Sequence, residues 1–200
     1  MLATADPTFA RFWYLTIDQD VVGVTPASVN KVITRVLTDP TGWSRMGYSF
    51  HRTTEKAARN RDPRTVIHIR LCKPAVVKRV CNIADRSCAD LNLNKIYLNA
   101  DRWLHGADKA DLPLEDYRNA LVAHEIGHLL SFDHVKCPGA GAEGDVMQEF
   151  TLRGWEGCLP TTKPTLRRAW ESAGSSRRPR RRTLASYRSQ GNRVGTWSPP

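Results

Sequence analysis

The eleven residues His124-Glu125-Ile126-Gly127-His128-Leu129-Leu130-Ser131-Phe132-Asp133-His134 narrow what this chain can fold into more than any other stretch. A helix turns about 100° per residue, so His124 and His128, four apart, present two imidazoles on one face. That spacing suits zinc, which takes His nitrogens at roughly 2.0–2.1 Å in tetrahedral geometry. Six residues carry His134 off that face, so the chain has to turn after Leu130 to return it as a third ligand. Three protein ligands leave a fourth position for water, the arrangement of a catalytic rather than a structural zinc. Glu125 projects beside the metal but off the ligand face, where it can accept a proton from that water. An ordinary amphipathic helix with two surface histidines would leave the third histidine and its offset unexplained.

The rest of the chain is consistent with a domain that carries such a site. Two hundred residues, 40% of them hydrophobic, suit one globular domain with a real core and two loose ends. No run of eighteen apolar residues is present, so no segment reads as a membrane span. Met1 to Pro7 lack the basic start and apolar centre of a signal peptide, so secretion is not written in these residues. The net charge of +10 is localised: residues 161–200 hold ten Lys/Arg against the single acid Glu171, and residues 1–160 are nearly neutral. These numbers give a lead-in over 1–10, a folded domain over 11–160 and a basic, disordered tail over 161–200. The run Arg177-Arg178-Pro179-Arg180-Arg181-Arg182 can attract phosphate backbones or act as an address, but no aromatic interleaving supports sequence-specific nucleic-acid binding.

Within 11–160, Arg11 to Gln19 reads as a strand. Thr25-Pro26 caps a helix whose Val29, Val32, Ile33, Val36 and Leu37 recur at helical spacing and which ends at Asp39-Pro40. Tyr48–Arg52, Thr65–Leu71 and Lys95–Asn99 read as further strands, with Thr53–Arg64 a charged surface loop. His51 and His68 fall on strands and His105 on a loop, and none is assigned a function. Leu112-Pro113 precedes the site helix, Glu115 and Asp116 favour its N-terminus, and Tyr117, Leu121, Val122, Leu129 and Leu130 form its buried side. Gly127 inside that helix costs about 1 kcal/mol against alanine, which points to close approach of neighbouring backbone. Asp133 beside His134 is a candidate to orient an imidazole, with an exposed acid the alternative.

His124, Glu125, His128 and His134, followed by Met147 in Asp145-Val146-Met147-Gln148, resemble the signature of the metzincin zinc peptidases, with its methionine turn. Asp39-Pro40-Thr41-Gly42-Trp43, Leu98 to Trp103, His134 to Gly139 and Gly157-Cys158 add a similarity to a bacterial, often secreted family of metzincin-like domains. The resemblance implies an α/β (α+β) zincin fold: a twisted, mostly parallel sheet backed by a helix, an active-site helix and a C-terminal methionine-turn subdomain. It implies one catalytic zinc ion, metallopeptidase activity, a protein or peptide substrate that adds to a sheet strand, and a secreted or extracellular setting. Two residues depart from the pattern. Ser131 stands where a glycine normally lets the helix end in a left-handed conformation, at roughly 1 kcal/mol or so. Glu149 stands where some metzincins place a tyrosine two residues after the methionine.

Cys137 and Cys158 bracket Met147, and a bond between them would clamp the segment below the metal, worth roughly 3 kcal/mol for a loop of that length. Cys81 and Cys88 are close in sequence, and the resemblance favours that pair too; Cys72 is then left over. Free thiols are the alternative in a reducing compartment. Two other functional readings stay open beside the peptidase. One is a catalytically silent, zinc-stabilised binding module; the other is a nucleic-acid-associated protein acting through its basic tail.

Overall fold

The computed structural model describes residues 10–165. Ala10–Ile17 forms β1, and Pro26–Thr38 forms α1. Ser28 N–H donates to Thr25 Oγ1 (3.1 Å) while Thr25 N–H donates to Ser28 Oγ (3.2 Å), a reciprocal cap completed by Pro26 in the first turn. Asp39 ends α1 because a residue before proline is driven out of helical geometry. Ser49–Arg52 forms β2, Val66–Cys72 β3, Cys88–Asp90 β4 and Lys95–Asn99 β5. Their order across the single sheet is β2-β1-β3-β5-β4. Neighbours pair in parallel except β4, which runs antiparallel along β5 and closes the sheet at that edge. The protein is thus mixed α/β, with a mostly parallel sheet.

Alternation in β3 and β5 sends Ile67, Ile69, Leu71, Ile96 and Leu98 to one face, all fully buried. They share one core with Val29, Ile33 and Leu37 of α1, and with Leu121, Val122 and Ile126 of a long helix over Leu114–Leu129. Each such side chain contributes about 1.5–3 kcal/mol by leaving water. The opposite face carries a smaller cluster around Cys72, Val77 and Tyr97, covered by a helix over Pro74–Cys81. Cys72 is a free, fully buried thiol, its pKa pushed up to about 11 chiefly by burial.

Several segments differ from the sequence reading. The stretch 53–64 is not all loop: Thr54 caps a helical turn over Glu55–Ala58, and Asp62 caps a 3-10 turn over Pro63–Thr65. Their apolar content is too low to show as periodicity. His105 lies not on a loop but at the end of a short helix, Ala100–His105, begun by Asn99, whose side chain accepts from Asp101 N–H at 3.0 Å. Among the described residues the α-helices in chain order are α1, α2 (Glu55–Ala58), α3 (Pro74–Cys81), α4 (Ala100–His105), α5 (Leu114–Leu129) and α6 (Phe150–Arg153).

Past Pro160 the chain stays attached to the domain for five more residues. Val146 N–H donates to Lys163 O (3.1 Å), and Thr165 N–H and Oγ1–H both donate to Asp145 Oδ2. The remainder of the basic tail lies outside the described residues. Among those described, no helix is long and apolar enough to cross a membrane.

Candidate metal centre

α5 is buried all round from Ala120 to Gly127 rather than along one stripe. It lies beneath a cleft of about 260 Å³ and supplies His124, Glu125 and His128 to its wall. The helix closes with Ser131 in the left-handed region at φ +71°. Ser131 N–H donates to His128 O (2.9 Å) and Phe132 N–H to Gly127 O (3.0 Å). This pair of bonds is the Schellman ending, so serine adopts the conformation usually given to glycine. Phe132 anchors the turn by packing against Trp43, with ring centroids 4.8 Å apart and planes tilted by 31°.

That turn returns His134 to the other two rings. The Nε2 atoms of His124, His128 and His134 stand 3.1, 3.1 and 3.2 Å apart. His124 Nδ1 lies 2.7 Å from Val146 O, and His128 Nδ1 3.0 Å from Phe132 O. A carbonyl only accepts, so both Nδ1 atoms carry the hydrogen and both Nε2 lone pairs face the cluster centre. His134 Nδ1 faces Glu149 Oε1 at 3.8 Å, in the same sense. Three converging lone pairs repel unless a cation lies among them. A tetrahedral zinc with Zn–N bonds of roughly 2.0–2.1 Å needs nitrogens about 3.3 Å apart, so the donor set fits zinc in kind and in spacing. Among the described residues this is the group of three able to hold a metal ion.

Glu125 lines the same cleft with only 4% of its surface exposed. Its Oε2 is buried and has no hydrogen-bond partner among the described residues. Burial raises its pKa to about 8, with Arg86 pulling the other way. Burial likewise lowers His124 to about 3, and pushes His128 and His134 down. The imidazoles therefore stay neutral, as ligands must be. A divalent cation beside Glu125 would favour its ionised form.

Met147 is fully buried beneath α5. A Cβ on Gly127 would come within 2.3 Å of Met147 Sδ and 2.7 Å of Trp43 Cζ2. The glycine thus admits two side chains, not neighbouring backbone as its position in the sequence suggests. The backbone around Met147 holds two of the three histidine segments: Val146 O binds His124, and Met147 O accepts from Val135 N–H at 3.1 Å. Disulfides join Cys137 to Cys158 and Cys81 to Cys88.

His68 sits on the sheet, with Nε2 2.7 Å from Thr16 Oγ1 and its ring stacked on Tyr14; His51 lies against Phe12. Neither lines the cleft, nor does His105. Two cleft residues carry roles that the sequence reading did not give them. Glu149 faces His134 and is held by Arg153 at 3.0 Å, and Arg86 projects from the loop before β4. In the sequence Glu149 shows only as a departure from the metzincin pattern, and nothing local marks Arg86.

Residues 14–156 match the model of the protein family described as "Protein of unknown function (DUF3152)". No curated protein matches the chain.

Proposed function

We propose that this chain, which belongs to the DUF3152 family, is a zinc-dependent metallopeptidase with a zincin-like, metzincin-type fold. The observation that carries the proposal is the meeting of three inward-facing Nε2 atoms with the unpartnered Oε2 of Glu125 in one cleft. His124, His128 and His134 would hold the ion. Zinc bound there supplies a Lewis acid that polarises a carbonyl and brings the pKa of a water to about 7. Glu125 would accept a proton from an attacking water as the water's oxygen bonds to the scissile carbon. It then delivers the proton to the amine nitrogen as the C–N bond breaks. Val146 O and Phe132 O fix the orientation of two imidazoles, and Glu149 lies beside the third.

β4 is one of the two sheet edges, and its Cys88 and Ala89 line the cleft. An extended peptide laid along it finds backbone groups to pair with. The two disulfides are compatible with an extracellular setting.

The test is metal analysis of the purified chain combined with peptide-library cleavage, with and without chelator. Glu125→Gln should retain zinc and lose at least about 100-fold in turnover. Wild-type-like cleavage by that variant removes Glu125 from the chemistry. Stoichiometric zinc without hydrolysis of any peptide pool favours the silent binding module.

A further inference from the structure

The cleft is lined by several groups that the proposed hydrolysis does not use, and one of them is a cation. Among the described residues, Arg86 is the only Lys or Arg that lines it. Its charge reaches both Glu125 and His134. The nearest carboxylate, Asp85 Oδ1, is 3.9 Å away, and the Arg86 side chain keeps 37% of its surface exposed. No hydrogen bond engages its guanidinium among the described residues.

The loop that carries Arg86 is nevertheless held from several directions. The Cys81–Cys88 disulfide closes it at the base. Asn99 Nδ2 donates to Ala84 O at 2.8 Å and Arg86 O at 3.4 Å, while Asn99 N–H donates to Ser87 Oγ at 3.0 Å. Arg102 Nε donates to Asp85 O at 2.7 Å. Asn99 and Ser87 are both buried. The fold therefore fixes a short loop by five tethers, and on it sets a guanidinium at the cleft that makes only a long, 3.9 Å ion pair with Asp85. A guanidinium is a planar fork matched to a carboxylate, and fixing its base in advance reduces what binding loses in chain freedom.

We infer that Arg86 forms a subsite that selects substrates bearing a carboxylate next to the bond held at the histidine cluster. The carboxylate is either an Asp or Glu side chain or a free C-terminus. The subsite rests on the peptidase reading for its substrate class, but it can be tested by binding alone.

The probe is a library of capped octapeptides carrying Asp, Asn, Glu or Gln at each position, with a matched set ending in a free acid or an amide. It is offered to the zinc-loaded, disulfide-intact Glu125→Gln full chain, and captured peptides are read by mass spectrometry. Enrichment of Asp and Glu over their amides identifies a side-chain carboxylate. Enrichment of free acids over C-terminal amides identifies a chain end. The enrichment should fall about 10–100-fold when Arg86→Gln is added, persist in part with Arg86→Lys, and turn toward Lys and Arg peptides with Arg86→Glu. Zinc content and thermal midpoint show whether each variant is folded. If Arg86→Gln does not fold, the parent protein still reports: several-fold higher ionic strength should weaken acidic peptides and leave neutral ones unchanged.

Equal capture of acids and amides, or a preference untouched by Arg86→Gln in a folded protein, overturns the subsite. Wild-type cleavage without acid preference overturns the subsite and leaves the peptidase standing. Acid-selective binding lost in Arg86→Gln, with no cleavage by the wild-type chain, keeps the subsite and removes the peptidase.

Discussion

Gly127→Ala tests how the floor beneath the histidine cluster is packed. On an isolated helix the change would help by about 1 kcal/mol, because alanine is the better helix former. Here the new methyl group would stand 2.3 Å from Met147 Sδ, 2.7 Å from Trp43 Cζ2 and 3.1 Å from Trp43 Cη2. The first two distances demand movement. Trp43 cannot easily give way: it is 1% exposed, its Nε1–H donates to Ala123 O at 2.9 Å, and the Phe132 ring packs against it. Met147 is more pliable, yet it is fully buried, and its own N–H is fixed to Asp145 Oδ1 at 2.7 Å. Overpacking of this kind costs about 1–3 kcal/mol or more, and with two neighbours to displace the upper part of that range applies. After subtracting the helix gain, the expected net loss is about 1–2 kcal/mol, or a drop in Tm of roughly 2–8 °C for a domain of this size. Displacing Met147 also shifts Val146 O away from His124, so zinc affinity should fall with stability. Calorimetry and competitive zinc titration measure the two effects. The packing argument also predicts coupling: Met147→Ala should be less damaging in the Gly127→Ala background than alone. A Gly127→Ala protein as stable as the parent, with unchanged zinc affinity, would refute the argument.

Ser131→Gly should leave zinc affinity unchanged and alter stability by less than about 1 kcal/mol, because relief of the left-handed strain is offset by the freer unfolded chain. Ser131→Val, by contrast, should weaken zinc binding sharply, since a β-branched residue at φ +71° opposes the turn that returns His134; zinc titration of both variants decides. On the sheet, His68 has its pKa lowered to about 4, chiefly by burial and then by Lys95. The fold therefore prefers the neutral ring, and the stability this contributes is complete above pH 6.5 and lost as pH falls toward 4. Urea unfolding at pH 7 and pH 5 should show a smaller acid loss for His68→Gln than for the parent; equal losses would remove His68 as a source.

Much of the fold is legible from pattern. β1, β3 and β5 announce themselves by alternation or β-branched content, and α1 by five apolar residues at helical spacing behind a Thr-Pro start. These are elements whose apolar side chains fill the main core, so burial imposes their periodicity. β4 is three residues long and half-buried, too short for any period to register, and its place is set by pairing with β5. α3 buries only Val77. α4 runs directly on from β5, and the Asn99 side chain that begins it looks in sequence like the end of a strand. The three histidines are legible because their convergence follows from covalent spacing plus one turn. Arg86 is not, since its position depends on a disulfide and on an asparagine thirteen residues further along. The approach of Trp43 to Gly127 is likewise a contact across 84 positions.

Asp145 links two parts of the molecule with different roles. One of its carboxylate oxygens fixes the N–H of Met147, and the other receives the N–H and hydroxyl of Thr165. Thr165, the last described residue, is thus tied by that carboxylate to the segment beneath the histidine cluster, beside the Val146 N–H that holds Lys163 O. Loss of the Asp145 carboxylate would therefore loosen Thr165 and Met147 together, one residue from the carbonyl that orients His124.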